Sequence, residues 1–329
     1  MAFLIFENMQ EEQLDMLIIG AGPIGLACAI EAQKAGLRYV VIEKGALVNS
    51  LYHYPVNMHF FSTSEKLEID HVPFISKEPK PSKQESLEYY RRVSTSKNLN
   101  IHLYETVRTV KKDLNFTITT DKAVYVTQNL TIATGFYDIP VTLQVPGEDL
   151  PKVTHYYSDS HAYTFQATVI IGSSNSAVDA ALEIYRKGGK VTMIIRENEI
   201  SKRVKYWVRP DIINRIEEGS ITAHFNAEIT EITEKTVSFI KAGKNYTIPN
   251  DYVVALTGYK PNFAFLESLG INLTGEQKIP EYHAETMETN VSGIYLAGVI
   301  CGGMETHKWF IENSRVHAKM IVDAVVGKM

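Results

Sequence analysis

Residues 15–37 read DMLIIGAGPIGLACAIEAQKAGL: an apolar run, glycines at 20, 22 and 25, then a helical pattern. The next apolar run, YVVIE, ends at Glu43, 23 residues after Gly20. This is the strand–turn–helix–strand start of a Rossmann unit. Gly20 permits the tight turn, Gly22 lets the backbone approach a pyrophosphate, and Gly25 lets helix and strand pack closely. The helix that follows, entered over Pro23 and Ile24, turns free N–H groups and a positive dipole end toward the phosphates. Glu43, with Lys44 beside it, stands where the adenosine ribose is met. A carboxylate there accepts from both hydroxyls of an unphosphorylated ribose, such as that of FAD.

A second turn answers the first. Residues 168–190 read TVIIGSSNSAVDAALEIYRKGGK, and VTMII then ends at Arg196, 24 residues after Gly172. The turn Gly172–Ser173–Ser174–Asn175–Ser176–Ala177 has serine at the second glycine position and alanine at the third. Arg196, Lys202 and Arg203 supply cations for a 2′-phosphate, which an arginine grips with two oxygens. One chain thus carries an FAD-type turn and an NADP-type turn, and that pairing points to hydride transfer from nicotinamide to flavin.

Between and after these turns the pattern repeats on a large scale. Residues 51–74 are aromatic and irregular, as in a long functional loop, and Tyr52, Tyr54, Asn57, Phe60 and Phe61 are candidates to wall a flavin ring. Residues 85–98 have a helical pattern. IHLYETVRTVKKD, NFTITT and AVYVTQNLTIAT read as a strand meander without crossover helices. It ends in Thr134–Gly135, and a Gly/Pro-rich stretch follows as a hinge. ITAHFNAEITEIT and TVSFIKAGKNYTI are strand patterns, and DYVVALTGYKPN ends a strand at Gly258. SGIYLAGVICGG gives a last strand and the turn at Gly298–Val299, and a helix is expected from about 307. If it begins near 303–307, its N-terminal dipole faces a flavin edge. The expected architecture is α/β, with two Rossmann-like dinucleotide-binding domains. An FAD domain spans 1–138 and 258–329, with an NADPH domain, 139–257, inserted in it.

Composition narrows the class. The chain has 329 residues, 33 basic and 38 acidic, for a net charge of −5. No basic stripe argues for nucleic acid. The longest apolar stretch is too short and too glycine-rich for a membrane span. The first 15 residues have no basic start and an early Glu7, unlike a signal peptide. Two cysteines, Cys28 and Cys301, with no C-x-x-C, exclude a disulfide framework and point to the cytoplasm. No metal-ligand spacing stands out.

Together IIGAGPIGLA, IEK, ATG, IIGSSNSAVDAAL, LTGYKPN and LAG resemble the two-dinucleotide-binding-domain flavoproteins of the low-molecular-weight thioredoxin reductase-like branch. SLYHYPVNMHFFSTSEKLEIDHVPFI, LPKVTHYY, DYVVALTGYKPNFAFL and GIYLAGVICGG are similar to the YpdA group, the bacillithiol disulfide reductases. The resemblance covers almost the whole chain. It implies FAD in the first domain, NADPH in the second and a homo-oligomer.

Three positions depart from those patterns. The thioredoxin reductase C-x-x-C falls near His155 and Ser158, so no dithiol relays electrons. The cysteine of the G-G-P-C-G turn is Ile24. The usual final G-D reads Gly298–Val299. Cys28, one turn into the first helix, reads as packing, and Cys301 and His155 remain catalytic candidates. His155 or His161 would protonate a leaving thiolate near neutral pH. The reading is an NADPH-dependent FAD oxidoreductase whose acceptor is a small molecule or small protein. The alternatives are a ferredoxin or flavodoxin reductase, a flavin monooxygenase and a nucleotide-sensing flavoprotein.

Overall fold

The computed structural model describes residues 13–329; the signal-peptide reading of the N-terminus falls largely outside them. The chain divides into two compact units: one of residues up to 53, 58–139 and 260–329, the other of 54–57 and 140–259.

In the first unit, strand Gln13–Ile19 turns into helix Pro23–Lys34 and returns through strand Tyr39–Ile42, parallel to the first. Met16, Leu17 and Ile18 are buried, as is all of Tyr39–Ile42, because helices cover a parallel sheet on both faces. Helix Lys83–Ser96 carries the chain to a third parallel strand, Ile101–His102. Its start is a capping box: Ser82 Oγ accepts from the Glu85 N–H, and Glu85 reaches back to the Ser82 N–H.

This corrects the meander expected over 101–132. Ile101–His102 belongs to the parallel sheet and is reached by a crossover helix. Only Val107–Lys112, Phe116–Thr120 and Val124–Ile132 form the antiparallel meander. The last of these also pairs in parallel with the first strand and with Ile294–Leu296, so one seven-stranded sheet joins both halves of the unit.

The second unit repeats the plan. Strand Ala167–Ile171, helix Asn175–Arg186 and strand Lys190–Ile195 form its glycine-turn start. Thr222–Phe225, Tyr252–Ala255 and Val153–Thr154 complete a five-stranded parallel sheet. One face packs Ile170, Val178, Met193 and Ile212; the other packs Val169, Ile194, Phe239 and Val253. Ala227–Ile232, Thr236–Lys241 and Lys244–Pro249 make a separate antiparallel sheet. The run ITAHFNAEITEIT is therefore two strands in two sheets. Asn226, at φ 53, breaks it in the left-handed region that asparagine tolerates.

The end of the chain also differs from expectation. Gly298–Gly302 is a 3₁₀ turn, and the closing helices are Ile311–Ser314 and Val316–Val326, so none begins at 303–307. Gly303, at φ 54, lies where any side chain would meet the carbonyls of Gln277 and Lys278, and the chain cannot enter a helix there.

Candidate functional site

The first turn is built tightly on one side and left open on the other. A Cβ at Gly25 would overlap the Gly20 carbonyl oxygen, so only glycine brings this helix so close to its strand. A Cβ at Gly22 would meet nothing within 4 Å, which is the open approach a pyrophosphate requires. Gly22 caps the helix without a side-chain bond, and Pro23 is its first residue, so the terminal N–H groups are not taken by a capping side chain.

Glu43 closes the turn. It is 7% exposed; its Oε2 accepts from the Ala21 N–H at 2.9 Å and its Oε1 from the Gly45 N–H at 3.0 Å. Burial raises its pKa, and those two backbone bonds oppose the rise. Each oxygen keeps a lone pair for a ribose hydroxyl. Lys44 is paired with Asp138 at 2.7 Å. Thr134 lies against Gly20, and its buried Oγ1 has no hydrogen-bond partner among the described residues. An orphaned hydroxyl against Gly20, together with the open Gly22 and the acceptor carboxylate of Glu43 on the same turn, fits a dinucleotide. Gly135, at φ 70, follows it.

The final turn of this unit rests on a buried base. The Gly298 N–H donates to His317 Nδ1 at 3.2 Å, and Cys301 Sγ lies 3.9 Å from the same nitrogen. Trp309 packs edge-on against the ring at 4.6 Å between centroids. Burial lowers the His317 pKa to about 4, so the imidazole is neutral with its proton on Nε2. Val299 continues the 3₁₀ turn. Both cysteines are fully buried; burial raises Cys28 to about 12 and pushes Cys301 well above its ordinary value. Neither holds a thiolate at neutral pH. Of the candidate flavin-wall residues, Phe60 is core, Tyr52 and Phe61 are exposed, and Tyr54 and Asn57 group with the second unit.

The second turn has the same frame. The Gly172 N–H donates to the Ile194 carbonyl as Gly20 does to Ile42, so Arg196 stands one residue farther from its strand partner than Glu43 does. Ser174 begins the helix without a side-chain cap, Ser176 lies on its first turn, and Ala177 is buried beneath it. Gly258, at φ 102, leaves open space where a Cβ would be. Asn175 fixes the loop carrying the cations: its Nδ2 donates to the Arg203 carbonyl at 3.0 Å, and its Oδ1 accepts from the Lys205 N–H at 2.9 Å. Lys205 is also paired with Asp179 at 2.9 Å. Arg196 and Lys202 are strongly exposed and loosely paired, Arg196 with Glu197 and Lys202 with Glu199, each at 3.4 Å. Arg196 edges a cleft of about 300 Å³ with Asn226, Glu228, Thr230 and Ile240.

Sequence reasoning misses Glu197, because it takes only the cations Arg196, Lys202 and Arg203 from this stretch. Its Oε2 accepts from Ser173 Oγ at 3.0 Å, inside the glycine turn. A carboxylate next to an arginine at a strand end was the available signal.

His155 Nε2 lies 3.2 Å from Glu148 Oε1, and its buried Nδ1 has no partner among the described residues. Tyr259 OH donates to the His155 carbonyl at 2.7 Å. His161 is exposed in the 3₁₀ turn Ser160–Tyr163. No group of three or more His, Cys, Asp or Glu able to hold a metal ion occurs among the described residues. No helix among them is long and apolar enough to cross a membrane.

Comparison with known proteins agrees with this geometry. Residues 17–298 match the pyridine nucleotide-disulphide oxidoreductase family. The bacilliredoxin reductase Bdr of Bacillus subtilis (strain 168) is 46% identical over 315 residues, covering 95% of this chain and 97% of that protein. The structure of the bacillithiol disulfide reductase Bdr (YpdA) from Bacillus cereus superposes with a TM-score of 0.95 at 41% identity, covering 97% of this chain and all of that one. The Staphylococcus aureus enzyme of the same name gives 0.94 at 44%, covering 97% and 99%. The chain belongs to the pyridine nucleotide-disulphide oxidoreductase family, in its Bdr (YpdA) group, and is a flavoprotein oxidoreductase that uses FAD and NAD(P)H.

Proposed function

We propose that the first unit holds FAD, the second holds NADPH, and the chain reduces a low-molecular-weight thiol disulfide of the bacillithiol type. Overall, NADPH and one proton reduce one disulfide to two thiols. Bound FAD supplies a two-electron carrier between nicotinamide and disulfide. The observation that carries the assignment of units is the contrast at the two strand ends: buried Glu43 gripping one glycine turn, exposed Arg196 beside the other.

Gly22 and the helix start at Pro23 receive the FAD pyrophosphate, Glu43 its ribose, and Thr134 Oγ1 donates to the bound group. Ser174, Asn175 and Ser176 receive the NADPH pyrophosphate, and Arg196, Lys202 and Arg203 its 2′-phosphate. His155 braces the 143–155 segment through Glu148, which also accepts from the N–H groups of Leu143 and Gln144 at 2.6 and 2.7 Å. With both cysteines buried, the acceptor disulfide is reduced without a protein dithiol. The FAD domain runs 1–138 with 258–329 and the NADPH domain 139–257, except that residues 54–57 and 258–259 group with the second unit, and the chain works as a cytoplasmic homo-oligomer.

The test is anaerobic stopped-flow reduction by NADPH, then challenge of the reduced protein with bacillithiol disulfide, glutathione disulfide, flavodoxin, a quinone or oxygen. Rapid reoxidation by bacillithiol disulfide is expected. If only flavodoxin, or only oxygen with an organic substrate, restores the oxidised form, the disulfide assignment is wrong. Binding of both nucleotides with no turnover on any acceptor would make the chain a sensor instead.

A further inference from the structure

We propose that Glu197 is a specificity-determining residue: a second ribose-side carboxylate that restrains the preference for NADPH over NADH. The inference rests on the placement of the pyridine nucleotide in the second unit and names what sets its discrimination there.

The geometry parallels the first unit. There a glutamate at the strand end grips the second residue of the glycine turn, Ala21, through its N–H. In the second unit the corresponding residue is Ser173, and its hydroxyl donates to a glutamate at the equivalent strand end. The Glu197 backbone is also pinned, because its carbonyl accepts from the Asn226 N–H at 3.0 Å. The carboxylate is therefore held at the turn rather than swinging freely in solvent. Burial pushes its pKa up, but the bonds from its own N–H and Ser173 and the charge of Arg196 outweigh this, so it is ionised at neutral pH.

An ionised carboxylate at that place has two effects. It repels a 2′-phosphate, which carries up to two negative charges, and it shares the Arg196 guanidinium that would otherwise serve the phosphate alone. It also accepts from an unphosphorylated ribose, as Glu43 is placed to do. Arg196 and Glu197 thus pull in opposite directions on the same ribose.

Calorimetric titration of the oxidised holoprotein with NADP⁺ and with NAD⁺ tests this, at about 20 mM and about 500 mM salt. Glu197→Gln should tighten NADP⁺ by about three- to tenfold at low salt, shrinking toward none at high salt, and should weaken NAD⁺ by about threefold. Ser173→Ala, which frees the carboxylate, should shift both affinities in the same directions by less. If Glu197→Gln leaves NADP⁺ unchanged, or weakens both nucleotides alike, Glu197 is only a brace and the proposal falls. Arg196→Ala in the same titration separates the two levels. A loss of NADP⁺ binding there beside a flat Glu197 series overturns the Glu197 role alone. Unchanged NADP⁺ binding in Arg196→Ala overturns the 2′-phosphate site and, with it, this proposal.

Discussion

The two glycine turns share a backbone plan and differ in what their glutamates touch. In the first, Glu43 is buried and takes a backbone N–H from Ala21. In the second, Glu197 is partly exposed, takes a side-chain hydroxyl from Ser173 and lies beside Arg196. A bond from the backbone makes turn and carboxylate one rigid piece that no side-chain change at Ala21 can remove. A bond from a serine, next to an arginine, can be tuned by single substitutions. The first unit is thus suited to a nucleotide that stays, and the second to one that exchanges.

Changing Glu43 should have the severest consequence. Glu43→Arg removes two charge-assisted acceptors and places a cation in a buried site, so FAD affinity should fall on the order of 100-fold or more. Flavin absorbance after gel filtration measures it, with circular dichroism to show that the fold persists. Retained flavin in a folded variant would break the contrast at its first term.

The buried base under the first unit's last turn gives a pH effect. The folded His317 pKa, about 4, is depressed below its ordinary value near 6.5. Between these values the unfolded imidazole takes up a proton that the folded one refuses. Stability is therefore lost as pH falls from about 6.5 to about 4, by up to about 3 kcal/mol, and that loss levels off below. Urea midpoints at pH 7 and 4.5 should fall farther apart in the wild type than in His317→Gln. An identical pH dependence would show that His317 is not buried neutral.

Arg196→Ala should weaken NADPH by roughly 10- to 100-fold, the worth of one charge-assisted bond of about 1.5–3 kcal/mol, with NADH almost unchanged. Steady-state constants for the two nucleotides read this directly. Equal losses would make Arg196 structural, and the asymmetry between the turns would lose its second term.

The smallest effect is expected at the thiols. Cys28→Ala with Cys301→Ser should leave the rate of flavin reduction by NADPH near wild type, since hydride transfer needs only stacked rings. Reoxidation is the sharper readout. If a disulfide acceptor works only on the wild type, and Cys301→Ser alone abolishes it, then burial of Cys301 is relieved during turnover and the thiol takes part.

Much of this was legible in the sequence because glycine spacing and apolar runs encode it directly. Gly20, Gly22 and Gly25, the helix read over 85–98 and found at Lys83–Ser96, and the strand before Gly172 stand where the pattern puts them. The failures have physical causes. Asn226 supplies a left-handed residue inside what reads as one strand, and periodicity does not register such a break. Helix Arg209–Glu217 is hidden because Pro210 stands at its start, where proline is tolerated but resembles a breaker. The closing helix begins later than its apolar pattern because Gly303 is committed to a positive φ by the carbonyls beside it. Glu197 is hard to single out because a charged string does not say which member the glycine turn will bind; only its place beside Arg196 at the strand end marks it.

One chain that holds two nucleotides of opposite ribose chemistry should pass a hydride between them. Anaerobic titration of the purified protein with NADPH tests it most directly. The expected result is a yellow protein with one noncovalent FAD per chain, whose flavin absorbance is lost on adding one equivalent of NADPH. A colourless protein that gains no flavin on reconstitution, or a bound flavin that neither NADPH nor NADH reduces, would contradict it.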